Sequence, residues 1–157
     1  MDYHYIKKFR QTLRKFEREI FIQNSESCCN GITMAQCHTL LEIENKNPVS
    51  VTELACCQLL DKSTISRTVD GLVNTGLVKR EIPAENRRMA LLSLTKNGLK
   101  TCSDINTKNN QYIAENLSVL TDEEQNEFLR LFEKITEKMI YTRTGKVKNR
   151  NNLCSCE

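Results

Sequence analysis

A chain of 157 residues, 39% apolar and 27% charged, has room for one domain with a real core and falls outside the disordered and fibrous classes. No apolar run reaches the roughly 18 residues of a membrane-spanning helix, and the first residues are aromatic and charged where a secretion signal is apolar. A cytoplasmic protein with no membrane partner is therefore expected. Its eight cysteines then read as core filler, metal ligands or redox sensors, not as a disulfide framework.

From Tyr3 to Ile22 the apolar residues Ile6, Phe9, Leu13, Phe16 and Ile20 recur at spacings of three and four, which predicts a long helix with one apolar seam. Asn24 to Gly31 is a polar loop. Thr33 and Gln36 have the spacing of a capping box, so a second helix begins at Thr33 and runs to about Glu44, closed by Asn45 to Pro48. Ser50 and Glu53 repeat that spacing and open a short third helix through about Leu59. Asp61 caps a fourth helix running to Thr75, with Gly76 in the stop position and Ile65, Val69, Leu72 and Val73 on its inward face.

After Gly76 the period changes. "LVKREI", the polar turn "PAENRR" and "MALLSL" form a two-stranded hairpin. Thr95 caps a long polar helix carrying Ile105, Tyr112, Ile113 and Leu117. A last helix starts near Thr121, where "TDEE" puts acidic residues in the first turn. Its face is Phe128, Leu131, Phe132, Ile135 and Met139. From Thr142 onward a flexible basic tail is expected.

The order of elements predicts a mainly α fold with a small β wing: a winged helix-turn-helix. "SVTELACCQLLDKSTISRTVDGLVNTGLVKREIPAENRRMALLSLTKNG" resembles the MarR family of bacterial transcriptional regulators, over residues 32–100 by motif and over most of the chain by order of elements. The resemblance implies helical dimerisation regions at 1–30 and 100–141, a DNA-binding domain at 31–99, and a repressor rather than an enzyme. The charges agree. Between Asp61 and Lys96 seven cations stand against four anions, so this segment carries the +3 of the whole chain. The fourth helix is expected in the major groove, with Lys62, Ser63, Thr64, Ser66 and Arg67 against bases and phosphates. At the wing tip Arg88 matches the arginine that family members place in the minor groove, and Arg87 can share its role. Asn86 replaces the aspartate that precedes that arginine in the family.

The apolar seams at both ends resemble the helices that knit MarR proteins into two-fold dimers. A homodimer reading a pseudo-palindrome of double-stranded DNA is expected. The stretch "CCNGITMAQCH" is the candidate sensory site. By resemblance to zinc-sensing members, Cys28, Cys29, Cys37, His38 and Cys102 are the candidate ligands for a thiophilic metal such as zinc or for a metalloid. Cys28, Cys29 and Cys37 could equally answer a thiol-reactive signal. Cysteines that only fill space, with a small aromatic or other organic effector, are one alternative. A winged-helix thiol or metal module that binds protein partners is another. No glycine-rich phosphate loop or nucleophile elbow is present, and Cys37 and His38, adjacent on one helix, point about 100° apart and cannot work as nucleophile and base.

Overall fold

The computed structural model describes residues 2–27, 31–83 and 89–147. Its elements in chain order are α1 (Tyr3–Ser27), α2 (Met34–Asn45), β1 (Val49–Ser50), α3 (Val51–Gln58), α4 (Lys62–Asn74), β2 (Val78–Glu81), β3 (Leu91–Leu94), α5 (Lys96–Leu117) and α6 (Asp122–Val147). The capping boxes predicted at Thr33/Gln36 and Ser50/Glu53 are both present, each hydroxyl accepting from the amide three residues on and each carboxyl or amide side chain accepting in return.

Three features differ from the expectation. Helix α1 runs to Ser27, through residues assigned to a polar loop, because polarity alone does not stop a helix and neither glycine nor proline occurs before Gly31. Helix α6 likewise continues to Val147, past the expected start of the tail at Thr142: polar and basic residues do not stop a helix, and a single glycine, Gly145, is tolerated near its end. The hairpin also has a third strand. Ser50 and Val49 of β1 pair antiparallel with Leu91 and Leu92, giving the order β1-β3-β2. Two residues are too few to show alternation, so this strand carries no pattern in the sequence.

The first compact unit, Met1–Ile105, holds the core. Leu40 and Ile43 of α2, Leu54 of α3, Ile65, Val69 and Leu72 of α4 and Leu92 of β3 are each fully buried in one cluster. Each contributes on the order of 2 kcal/mol by leaving water. Because the three inward residues of α4 lie at spacings of four and three, one face of that helix is fixed to the core and the opposite face is committed to solvent. The chain enters α5 through a close approach. Leu77 donates its amide to Leu72, Thr95 donates its amide to the Leu77 carbonyl, and Gly98 lies so near that carbonyl that a Cβ would collide with it.

The second unit, Asn106–Glu157, turns from α5 into α6 at a corner where the Gln125 amide donates to the carbonyls of Leu117 and Leu120 at 3.3 and 3.1 Å. Helix α6 starts where the acidic "TDEE" turn predicts, and Thr121 and Glu124 also make a reciprocal cap there. On α1 the seam of Ile6, Phe9, Leu13 and Phe16 is exposed. On α6 so are Phe128, Leu131, Phe132, Ile135 and Met139.

Candidate nucleic-acid interface

The turn that launches α4 is built by Leu59 and Asp61. Leu59 takes the left-handed conformation at φ 56° and closes α3, its amide donating to Ala55 and Cys56. Asp61 then caps α4, accepting the Thr64 amide on Oδ1 at 2.8 Å. The Thr64 hydroxyl donates to Oδ2 at 2.7 Å and the Ser63 hydroxyl donates to Oδ1. Those bonds, the Ser63 and Thr64 hydroxyls first, hold the Asp61 carboxyl far below the ordinary carboxylate range.

With Ile65, Val69 and Leu72 turned inward, the outer face of α4 presents the five predicted residues. Lys62, Ser63 and Arg67 are exposed and Thr64 and Ser66 half-buried. Neither Lys62 nor Arg67 forms an ion pair among the described residues, so both cations are available to an anionic partner. Arg80 is held otherwise: its guanidinium lies 2.9 Å from Asp70 and ties β2 to the middle of α4. At half exposure such a pair adds little stability; it fixes the angle between helix and strand. That tie escaped the sequence reading, since the nine residues between the two carry no signal of their contact. Arg87 and Arg88, with Asn86, lie outside the described residues.

The predicted thiol site is divided. Cys37 is buried in the core and His38 is exposed, so these neighbours, about 100° apart on α2, lie in different surroundings. Cys102 is fully buried, its thiol 3.9 Å from the Leu40 carbonyl. Burial, with smaller contributions from Glu44 and Cys37, pushes the Cys102 thiol up to about 12. Cys37 and Cys102 are therefore packing sulfurs, and among the described residues no three of His, Cys, Asp and Glu are grouped to hold a metal. Cys28 and Cys29 lie outside the described residues. On α3, Cys57 is a thiol outside any disulfide and accepts from the Lys46 ammonium at 3.1 Å. Cys56 is disulfide-bonded, contrary to the expectation of reduced thiols throughout: it is only half-buried, where another sulfur can reach it.

Comparison with known proteins agrees with this geometry. The profile described as MarR family matches residues 30–89. The HTH-type transcriptional regulator BilQ of Clostridium symbiosum (strain WAL-14163) is 29% identical over 111 residues, covering 71% of this chain and 77% of that protein. Among solved structures, a mutant MarR from E. coli complexed with operator DNA superposes with a TM-score of 0.67 at 24% identity, covering 86% of this chain and 99% of that one. The PcaV transcriptional regulator from Streptomyces coelicolor, in complex with its natural ligand, gives 0.66 at 21% identity, covering 80% and 89%. Among the described residues no helix is long and apolar enough to cross a membrane.

Proposed function

We propose that this chain, a member of the MarR family of helix-turn-helix transcriptional regulators and not an enzyme, binds a pseudo-palindromic operator on double-stranded DNA as a cytoplasmic homodimeric repressor. The observation that carries the reading is the outer face of α4, where two cations without an ion pair among the described residues and three hydroxyls stand together on a helix anchored to the core by its opposite side. The similar MarR structure is a complex with operator DNA, which supports DNA binding by this chain. The regions 31–99 and 1–30 with 100–141 divide the labour between DNA binding and dimerisation.

The exposed seams of α1 and α6 support the dimer. Covering them removes a row of large apolar side chains from water. Charge adds to this: α1 from Tyr3 to Arg18 carries six cations against Glu17 alone, while α6 from Asp122 to Glu137 carries six anions against two cations. Packing the α1 of one protomer on the α6 of its partner therefore joins opposite charges, twice in a two-fold dimer. A dimer sets the two recognition helices about 34 Å apart, one turn of DNA.

An effector modulates operator binding in this reading, which the similar PcaV regulator, solved in complex with its natural ligand, supports. The burial of Cys37 and Cys102 and the exposure of His38 favour an organic or thiol-reactive effector over a metal held by those three residues. The deciding experiment is a footprint on the DNA upstream of the chain's own gene, repeated with Lys62→Ala/Arg67→Ala. Protection of a two-fold site by the parent, lost in a folded variant, is expected. Equal binding of random and upstream DNA by the parent would refute sequence-specific recognition.

A further inference from the structure

At the head of α4 a single carboxylate takes the protons of both hydroxyls in the first turn. Thr64 Oγ1 lies 2.7 Å from Asp61 Oδ2, and Ser63 Oγ bonds Oδ1, which also takes the Thr64 amide. An ionised carboxylate has no proton to give, so in both contacts the hydroxyl is the donor. Each hydroxyl owns one proton, and each is spent on Asp61. What Ser63 and Thr64 turn outward are lone pairs, which can only accept.

We propose that Asp61 is a positioning residue for base specificity: it converts Ser63 and Thr64 into acceptors, so that α4 reads exocyclic amino groups of adenine or cytosine. The inference rests on the reading above that α4 enters the major groove. Phosphate oxygens, guanine O6, thymine O4 and purine N7 are all acceptors and find no partner in a hydroxyl whose proton is committed. The only donors that bases offer in that groove are the adenine N6 and cytosine N4 amino groups. The fixed negative charge of Asp61 also turns phosphates away from this turn. Lys62 and Arg67, donors without acceptors, are left for phosphates and for N7 and O6. The first turn of α4 thus carries a divided code, acceptors at Ser63 and Thr64 flanked by donors at Lys62 and Arg67.

The test uses the full-length parent, its footprinted site and fluorescence anisotropy on duplexes altered one base at a time. Replacing adenine by purine, or cytosine by an analogue without its amino group, removes a donor; 7-deazapurines remove an acceptor. For the parent, amino removal at one or two pairs of each half-site should weaken binding about tenfold, while 7-deaza substitution at those pairs should change it less than about twofold. Asp61→Gly keeps a tolerated cap and releases both hydroxyls. In that variant the hydroxyls can donate as well as accept, so the amino dependence at those pairs should weaken, and the preference for operator over random DNA should fall about tenfold. Asp61→Asn, which retains one acceptor oxygen, should fall between, and all three proteins should show equal helix content. Ser63→Ala/Thr64→Val must also lose the amino dependence with Asp61 in place. If it keeps that dependence, the hydroxyls are not the readers and the proposal fails. The proposal also fails if the parent depends on N7 rather than on amino groups at those pairs, or if Asp61→Gly reproduces the parent's pattern. If Ser63→Ala/Thr64→Val binds operator as the parent does, the wider reading of this helix end as the base-reading surface falls with it.

Discussion

A buried thiol makes alkaline stability a test of whether Cys102 is packing or chemistry. In the folded chain its thiol is pushed from an ordinary 9.0 up to about 12, chiefly by burial. Between those values the unfolded chain releases a proton that the folded chain keeps. The unfolded state then binds fewer protons, so stability falls as pH rises: the full contribution is present below about pH 9 and is lost progressively towards pH 12. At pH 10, one unit above the unfolded value, the loss is about 1.4 kcal/mol. Cys102→Ala removes the titration. It leaves a small cavity, but the cost of that cavity is the same at both pH values and cancels in the comparison. Urea unfolding of parent and variant at pH 8 and pH 10, with a phosphine reductant and one protein concentration throughout, gives the two drops. The parent's should exceed the variant's by about 1.4 kcal/mol. Equal drops would mean that Cys102 ionises in the folded protein as freely as in the unfolded one, and its assignment as an inert core sulfur would fail. Iodoacetamide at pH 8 should accordingly modify Cys57, half-exposed, long before Cys102.

Gly98→Ala should lose about 1–3 kcal/mol in thermal or urea unfolding, because the new methyl meets the Leu77 carbonyl and the start of α5 must shift. Ser50→Ala, which deletes half of the α3 capping box, should cost about 1 kcal/mol with the fold retained by circular dichroism. Arg88→Ala should weaken operator binding and lower the slope of log K against log salt by about one unit, read from gel shifts at several salt concentrations. Phe132→Glu, placing a charge on the exposed seam of α6, should move the sedimenting mass from a dimer towards the single-chain 18.1 kDa.

The parts of this molecule that were legible in its sequence are those whose cause lies within a few residues. Thr33 with Gln36, Ser50 with Glu53, and Asp61 before Ser63 and Thr64 announce three helix starts, because a cap is a bond across three positions. The inward triplet of α4 is equally local: Ile65, Val69 and Leu72 declare one face, and the hydroxyls and cations opposite follow without further information. Helix ends without a cap were not legible, and both α1 and α6 outran their expected limits. Nor was the Arg80–Asp70 pair, which depends on where the wing folds back.

The cysteines show why proximity in sequence misleads for side chains on a helix. Cys37 and His38 stand next to each other in the chain, and that density drew attention to the stretch. One residue on a helix is about 100° of rotation, enough to put Cys37 in the core and His38 in water. Burial then decides the chemistry. Cys102 comes from 65 positions later in the chain, lies close enough for Cys37 to perturb its ionisation, and is silenced because an apolar surround disfavours the thiolate. The reverse holds at Asp61, whose carboxylate is exposed and kept ionised by its neighbours' hydroxyls. A sensor needs a group that reaches solvent and can change state, and a reader needs groups that stay in one state. Cys37 and Cys102 satisfy neither requirement of a sensor, while Asp61, Ser63 and Thr64 satisfy that of a reader. Cys37 and Cys102, which looked reactive in the sequence, build the scaffold, and in the reading proposed above the cap at Asp61 is what distinguishes one base from another.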